Sequence, residues 1–252
     1  MQFPKKRTMR KACVILNIAL VMCVFHCCHS NNNGDQLLFP TEKQWAHRVD
    51  DIPMAIEREK YFEGIEVDLV YSPQSNKLFV CHNEEDTTKR LAFDRWMEAM
   101  THPEKHYYWL DVKNLNYFTA DSISVLIRRT LEPYGLLNKA FIESFDTDGI
   151  VKAKDHGLHT SLWVDNFYWS HLDTLTWYNK VKGQIEKVQP DCISCEYRMF
   201  GALTTFFPEQ NILLWHTPAE LTPENAELTY QFTQHPSVKV VLVDYEKPSR
   251  SY

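Results

Sequence analysis

Residues 62–70 read FEGIEVDLV, an apolar run that carries two carboxylates, Glu66 and Asp68, two positions apart. Its aliphatic and β-branched content predicts a buried strand. Because strand side chains alternate between faces, the two carboxylates lie on the same face. Buried like charges either neutralise or bind a cation, so the pair predicts a divalent metal site.

The chain around this strand repeats one theme, an apolar strand followed by a segment long enough for a helix. Further strands are predicted near residues 44–48, 76–80, 107–113, 139–143, 159–164, 191–195, 211–216 and 238–243. Strands that alternate with helices pair in parallel through right-handed crossovers. About eight such units predict an α/β fold, a single-domain (β/α)8 TIM barrel, with a doubly wound open sheet as the alternative. The segment 200–208 fits least well, because its glycine, threonines and phenylalanines give no clean amphipathic helix.

The N-terminus follows a different pattern. Five basic residues within residues 5–11 precede an apolar run over 12–25, which is typical of an export signal and too short to favour a membrane span. The run ends at Cys27 and Cys28 and resembles a bacterial lipoprotein signal, in which the cysteine after the cleavage site carries the lipid. This predicts Cys28, or alternatively Cys27, as a lipid anchor in the bacterial cell envelope. An ordinary secretory signal, which would give a secreted or periplasmic protein, is the alternative.

These patterns predict a signal peptide over 1–28, a flexible linker over 29–40 and one domain over 41–252. The formal net charge of −6 offers no electrostatic footprint for nucleic acid. The predicted domain has three cysteines, too few for a disulfide framework. Two of them, Cys192 and Cys195, have CxxC spacing but lack the second pair that a zinc site needs.

Polar residues that close the strands are the candidates for a site, because functional side chains of a β/α barrel project from the carboxyl ends of its strands. In chain order these candidates are His47, Arg48, Glu66, Asp68, His82, Asp111 and Lys113. Three carboxylates favour a hard divalent cation, Mg²⁺ or Ca²⁺, and leave the two histidines to carry protons. The arginine and the lysine would offset charge on a phosphoryl group.

This ordered set resembles the signature of the glycerophosphodiester phosphodiesterases, within the phospholipase C-like phosphodiesterase superfamily: His47-Arg48, Glu66-x-Asp68, His82 and Asp111-x-Lys113. The resemblance extends to Trp215 and Asp244. It implies a TIM barrel with two histidines as general acid and base, an arginine that binds phosphate and an acidic trio that holds one Ca²⁺ or Mg²⁺. These roles carry over to His47, His82, Arg48, Glu66, Asp68 and Asp111, and Lys113 would help to anchor the phosphate.

Three positions depart from that family pattern. Val49 stands where glycine is usual, Asn83 where aspartate is usual, and Asp111 where a glutamate is usual. The Asp-x-Lys form is similar to the spider-venom sphingomyelinase D branch, and menorin-like animal proteins share the barrel too. A valine at position 49 is expected to remove a close backbone approach to substrate. The substrate therefore stays open between a small phosphodiester and a lipid head group.

Later strand ends supply candidates for a substrate pocket. Glu143 is isolated in an apolar strand, and Trp163 and Trp215 could stack on a polar head group. The leading prediction is a metal-dependent phosphodiester hydrolase. The alternatives are a non-catalytic barrel that binds phosphate or a lipid head group at the cell surface, and a metal-independent phosphatidylinositol-type lyase.

Overall fold

The computed structural model describes residues 36–83 and 91–245, and strands and helices alternate along this part of the chain. The strands are β1 (Gln44–Ala46), β2 (Gly64–Ser72), β3 (Lys77–Val80), β4 (Tyr107–Val112), β5 (Ala140–Ser144), β6 (His159–Trp163), β7 (Cys192–Glu196), β8 (Asn211–Trp215) and β9 (Val238–Val243). The α-helices are α1 (Ile52–Arg58), α2 (Phe93–Ala99), α3 (Ala120–Leu131), α4 (Thr147–Asp155), α5 (Phe167–Ser170), α6 (Thr174–Val188), α7 (Phe200–Phe206) and α8 (Pro223–Gln234).

Eight of these strands form a closed parallel barrel. They follow one another in the order β1, β2, β4, β5, β6, β7, β8 and β9, and β9 pairs with β1 to close the ring. The remaining strand, β3, runs antiparallel to the last four residues of β2, beyond the point where β1 ends. The predicted (β/α)8 barrel is therefore confirmed, and the open doubly wound sheet is excluded.

Alternation along the strands divides the apolar side chains into two layers. Ile65, Val67 and Leu69 of β2 point outward into the main core between strands and helices. A smaller layer fills the barrel interior and includes Trp45 and Trp109. Because the interior is packed with side chains, the polar residues at the strand ends lie above a solid floor, as is usual for this fold.

The short helices differ most from the sequence prediction. The segment 200–208, which lacks a clean helical pattern, contains α7, because Leu203 buries its side chain completely. Helix α6 begins at Thr174, where Asp173 accepts hydrogen bonds from two backbone N–H groups of the first turn. Asn166 caps the separate short helix α5 in the same way.

The CxxC pair does not form a common site. Cys192 packs in the barrel interior, whereas Cys195 belongs to the outer core. Since residues three apart on a strand point to opposite faces, the two thiols cannot bind one ion together.

The predicted signal segment, with Cys27 and Cys28, lies outside the described residues. Within the described part of the chain, no helix has both the length and the apolar character needed to cross a membrane. Leu37 and Phe39, near the end of the predicted linker, pack against the interior layer of the barrel.

Candidate active site

One cavity of about 240 Å³ lies at the carboxyl ends of the strands and collects the residues that the sequence singled out. Its lining contains His47, Arg48, Glu66, Asp68, His82, Asp111, Lys113, Glu143, Trp163 and Trp215, with Trp109 and Leu242. A larger cavity of about 770 Å³ opens near residues that precede β2, β4 and β5, and it contains none of these predicted residues. The chemistry is therefore concentrated in the smaller cavity.

Three carboxylates from two neighbouring strands meet in this cavity. Asp68 of β2 lies directly beside Asp111 of β4 in the parallel ladder. One oxygen from each of Glu66, Asp68 and Asp111 lies within 4.8 Å of the others. Glu66 and Asp68 are almost fully buried, at 2% and 1% exposure. The strand register thus brings together the acidic trio that the spacing predicts.

Lys113 supplies a positive charge to two of these carboxylates. Its Nζ lies 2.6 Å from Oδ1 of Asp68 and 2.5 Å from Oδ2 of Asp111. Burial alone would lower the pKa of Lys113, but the two carboxylates raise it above its ordinary value, so the ammonium stays charged. Burial acts to raise the pKa of Asp68, yet Lys113 and His82 outweigh it and the net pKa lies below the ordinary value.

The trio still carries more negative charge than Lys113 can balance. Burial, followed by the charges of Asp68 and Asp111, raises the pKa of Glu66 well above its ordinary value. Burial also raises the pKa of Asp111, although Lys113 opposes this. A divalent cation would relieve this repulsion, and a donor set made only of carboxylate oxygens fits a hard ion such as Mg²⁺ or Ca²⁺. The residues present therefore fit the predicted cation.

His47 directly follows β1. Its ring is oriented by a carboxylate that follows β9, the strand that pairs with β1 to close the barrel. Its Nδ1 lies 2.6 Å from Oδ1 of Asp244, and its Nε2 lies 4.0 Å from Oε2 of Glu66. Because a carboxylate accepts hydrogen bonds, Asp244 favours the tautomer with the proton on Nδ1. The Nε2 atom is then available for proton transfer.

His82 follows β3 and has the same kind of partner. Its Nδ1 lies 2.7 Å from Oδ2 of Asp68, and its side chain is 42% exposed. This carboxylate also favours a proton on Nδ1, so that Nε2 is available for proton transfer. Asp68 consequently contacts both a histidine and the Lys113 ammonium.

Arg48 turns the chain at the end of β1. Its φ of 52° lies in the left-handed region, which costs a non-glycine residue about 1 kcal/mol or more. In this conformation its N–H donates to Oε2 of Glu66 at 2.6 Å, while its Nε lies 3.4 Å from Oδ2 of Asp68. The next side chain, Val49, is fully buried in the outer core and therefore points away from the cavity.

Three further lining residues come from β5, β6 and β8. Glu143 is buried, and its Oε2 accepts a hydrogen bond of 2.8 Å from the Ser161 hydroxyl. Burial, helped by the charge of Asp111, raises the pKa of Glu143 to about 8. Trp163 and Trp215 meet edge to face with their ring centroids 5.2 Å apart. They give the cavity an apolar wall beside its charged part.

Two acidic residues of this region were not given site roles from the sequence. Asp244 closes β9, so the strand-end rule that selected the other candidates also applies to it. Asp50 lies just before Asp51, the residue that caps α1, and its Oδ1 accepts from the backbone N–H of Asp68 at 3.0 Å. Burial, followed by the charge of Asp68, raises the pKa of Asp50 to about 7.

Two other polar residues at or just after strand ends, Glu196 and His216, lie outside the lining of this cavity. Glu196 binds Asn166 at 2.8 Å and Arg198 at 2.7 Å. His216 is buried, and its ring packs edge-on against Tyr197. Both residues therefore stabilise the loops around the barrel mouth.

Comparison by sequence gives no relative, since no family model and no curated protein matches the chain. Comparison by structure finds proteins that share its fold. A glycerophosphodiester phosphodiesterase from Parabacteroides distasonis superposes with a TM-score of 0.59 and 12% identity, over 80% of this chain and 92% of that one. The chain has the fold of these phosphodiesterases.

Two further structures show that proteins with different functions share this fold. A phosphodiesterase from Oleispira antarctica, solved with its product sn-glycerol-3-phosphate, has a TM-score of 0.60 and 11% identity, over 82% of this chain and 93% of its own. A glycerol uptake operon antiterminator regulatory protein from Listeria monocytogenes has a TM-score of 0.54 and 14% identity, covering 86% and 100%. Since proteins with different functions share this fold, only the residues of the site can indicate the chemistry.

Proposed function

We propose that this chain is a metal-dependent phosphodiester hydrolase of the glycerophosphodiesterase type. The observation that carries the proposal is the pair of histidines, each with a carboxylate at Nδ1, in one cavity with an acidic trio and a lysine ammonium. The fold shared with known phosphodiesterases supports it, and so does the product sn-glycerol-3-phosphate bound by one of them. The substrate would be a small phosphodiester or a lipid head group.

The charged side of the cavity would bind and orient the phosphodiester. Glu66, Asp68 and Asp111 would hold one Mg²⁺ or Ca²⁺, which acts as a Lewis acid towards a phosphoryl oxygen when bound. The Arg48 side chain lines the cavity and is 45% exposed, so it could contact a phosphoryl oxygen. Lys113 would add a second positive charge beside it.

The two histidines would move the protons. One Nε2 takes a proton from the attacking water or substrate hydroxyl, and the other Nε2 gives a proton to the departing alkoxide. Asp244 and Asp68 hold the two rings at Nδ1 and stabilise each imidazolium as it forms. Each proton transfer typically contributes about 10² to 10⁴ in rate.

The test is turnover by the purified full-length chain with Mg²⁺ or Ca²⁺. The substrates are an aryl phosphodiester, a glycerophosphodiester and a lysophospholipid, and the matched variants are His47→Ala and His102→Ala. His102 is more than half exposed and lies in the larger cavity, so its removal should leave turnover unchanged. Binding of an intact ester without turnover would contradict hydrolysis and favour a non-catalytic head-group binder.

One contact favours a second candidate function, a metal-independent phosphatidylinositol-type lyase. The Lys113 ammonium already lies between Asp68 and Asp111, where it offsets part of their charge. That candidate predicts full activity in chelator and tolerance of Asp68→Asn. Hydrolase activity that disappears in chelator and returns with Mg²⁺ or Ca²⁺ would eliminate it.

The proposal extends to location. The basic and apolar pattern of residues 5–25 and the cysteines after it support export with a lipid on Cys28 or Cys27. In a bacterial host the wild-type chain should fractionate with membranes. Cys27→Ser combined with Cys28→Ser should release it, and unchanged membrane association of this double variant would contradict lipidation.

A further inference from the structure

Exposed aromatic side chains concentrate beside the mouth of the cavity. Among the described residues, six aromatic side chains are more than half exposed, and one of them, Tyr230, lies on α8. The other five lie after β4, β5 and β6, which are neighbours in the barrel: Tyr117, Phe118, Phe145, Tyr168 and Trp169. These five are called the aromatic rim. Because the segments that follow neighbouring parallel strands leave the same end of the barrel, the rim lies on the face that holds the cavity.

Two residues of the rim contact aromatic side chains that line the cavity. The Phe145 ring meets Trp163 edge to face at 6.0 Å, and the Trp169 ring lies 6.1 Å from that of Trp215. Both of these inner tryptophans line the cavity. An apolar group attached to a bound phosphodiester therefore has a path along aromatic surface from the cavity to the outside.

Charges beside the rim are paired. Lys152 lies over the Tyr117 ring at 4.5 Å and also binds Asp121 at 2.5 Å. Arg198 lies over the Tyr168 ring and binds Glu196 at 2.7 Å. These pairs give the rim polar groups of both signs, which complements a zwitterionic surface better than a strongly anionic one.

The composition and position of the rim point to one kind of occupant. Tyrosine and tryptophan favour the boundary between lipid and water, where an apolar ring and a polar edge are both satisfied. A protein seated on the rim would cover the adjoining mouth, whereas a lipid layer presents head groups to it. Exposed apolar patches of this kind mark interaction sites.

We propose that the aromatic rim docks on a zwitterionic phospholipid surface, so that the cavity receives a phosphodiester whose apolar part remains in the lipid. The choice of substrate rests on the proposed hydrolase function. The docking itself requires no turnover, and the two can fail separately. The aromatic side chains would enter the interfacial layer while the acidic trio stays within the barrel.

Hydrogen exchange on phosphatidylcholine vesicles tests the docking and shows where it occurs. The full-length chain is used with Cys27→Ser and Cys28→Ser, so that no acyl chain contributes. Amides of residues 113–119 and 164–170 are expected to exchange about tenfold more slowly on vesicles, while those of α8 do not change. Unchanged exchange in both rim segments on the vesicle-bound chain would overturn the proposal.

Matched serine variants decide whether the rim side chains are responsible. Phe118→Ser combined with Trp169→Ser should abolish the slowed exchange, and Tyr230→Ser should preserve it, because Tyr230 is also more than half exposed but lies outside the rim. Equal protection in both variants would overturn the proposal. A chain that docks but cleaves no phosphodiester refutes the hydrolase function alone, and one that cleaves a soluble aryl phosphodiester without docking refutes the rim alone.

Discussion

The Nδ1 atom of His47 lies 2.6 Å from Oδ1 of Asp244, across the junction at which the barrel closes. His47 directly follows β1 and Asp244 directly follows β9, and these two strands pair in parallel. Residues 197 positions apart are thus held together by the closure of the sheet. The orientation of a proposed proton carrier therefore depends on the last strand of the fold.

Asp244→Asn should slow turnover without preventing substrate binding. The amide keeps the size of the carboxylate but lacks its charge, so it no longer stabilises the imidazolium and no longer selects the Nδ1–H tautomer. We expect kcat for an aryl phosphodiester to fall by about 10² to 10⁴, with KM nearly unchanged. Asp51→Asn is the control, because Asp51 caps α1 outside the cavity. Equal kinetics for both variants would show that Asp244 has no catalytic importance.

Glu66→Gln should separate the stability of the metal-free protein from its response to metal. Burial and the neighbouring carboxylates oppose ionisation of Glu66, so replacing it with a neutral amide should raise the free energy of unfolding in chelator at neutral pH. The amide oxygen can still accept from the Arg48 N–H. The same change removes a ligand, so added Mg²⁺ or Ca²⁺ should no longer stabilise the protein.

Thermal unfolding with and without the ion measures both effects. An ion at 100 times its Kd stabilises the native state by about 2.7 kcal/mol, so the wild-type Tm should rise clearly. Glu98→Gln, an exposed carboxylate paired with Arg95, should respond to the ion like the wild type. A wild-type Tm that ignores both ions would argue against the metal site.

Local patterns were sufficient to predict the barrel and most of its site. The i, i+2 spacing of Glu66 and Asp68 fixes their common face wherever the strand lies, and each strand end can be read from adjacent residues. The contact of His47 with Asp244 could not be predicted in the same way, because it depends on which strands close the barrel. Helix α7 was unclear for a similar reason: Phe207, at its end, packs against Trp177 and Tyr178 of α6, and no local periodicity records this.

Glu143→Gln should make the free energy of unfolding decrease less steeply as pH rises. Burial raises the pKa of Glu143 from 4.5 to about 8, so the folded state holds a proton that the unfolded state releases. Between those values the wild-type free energy of unfolding falls as pH rises, by up to about 1.4 kcal/mol per pH unit from this group. Glutamine does not titrate and can still accept from Ser161.

The measurement is urea unfolding in chelator at several values between pH 5 and pH 8. The advantage of Glu143→Gln over the wild type should grow steadily with pH. Glu209→Gln, at an exposed position, should run parallel to the wild type. A Glu143→Gln profile parallel to the wild type would show that this carboxyl ionises as readily in the folded state as in the unfolded one.

Gly64→Ala should destabilise the barrel more than its small size suggests. Gly64 begins β2, and a Cβ atom added there would lie 2.0 Å from Cδ2 of Trp45, a fully buried side chain of the interior layer. At this distance the strand or the buried indole must shift. Overpacking of this kind typically costs about 1–3 kcal/mol, and urea unfolding should show a loss at or above that range.

Gly183→Ala is the matched control, because Gly183 lies exposed in α6 with no atom near the added Cβ. This variant should gain about 0.5–1 kcal/mol in free energy of unfolding. A loss of stability no larger than that caused by other surface alanines would show that the barrel interior can relax around Trp45.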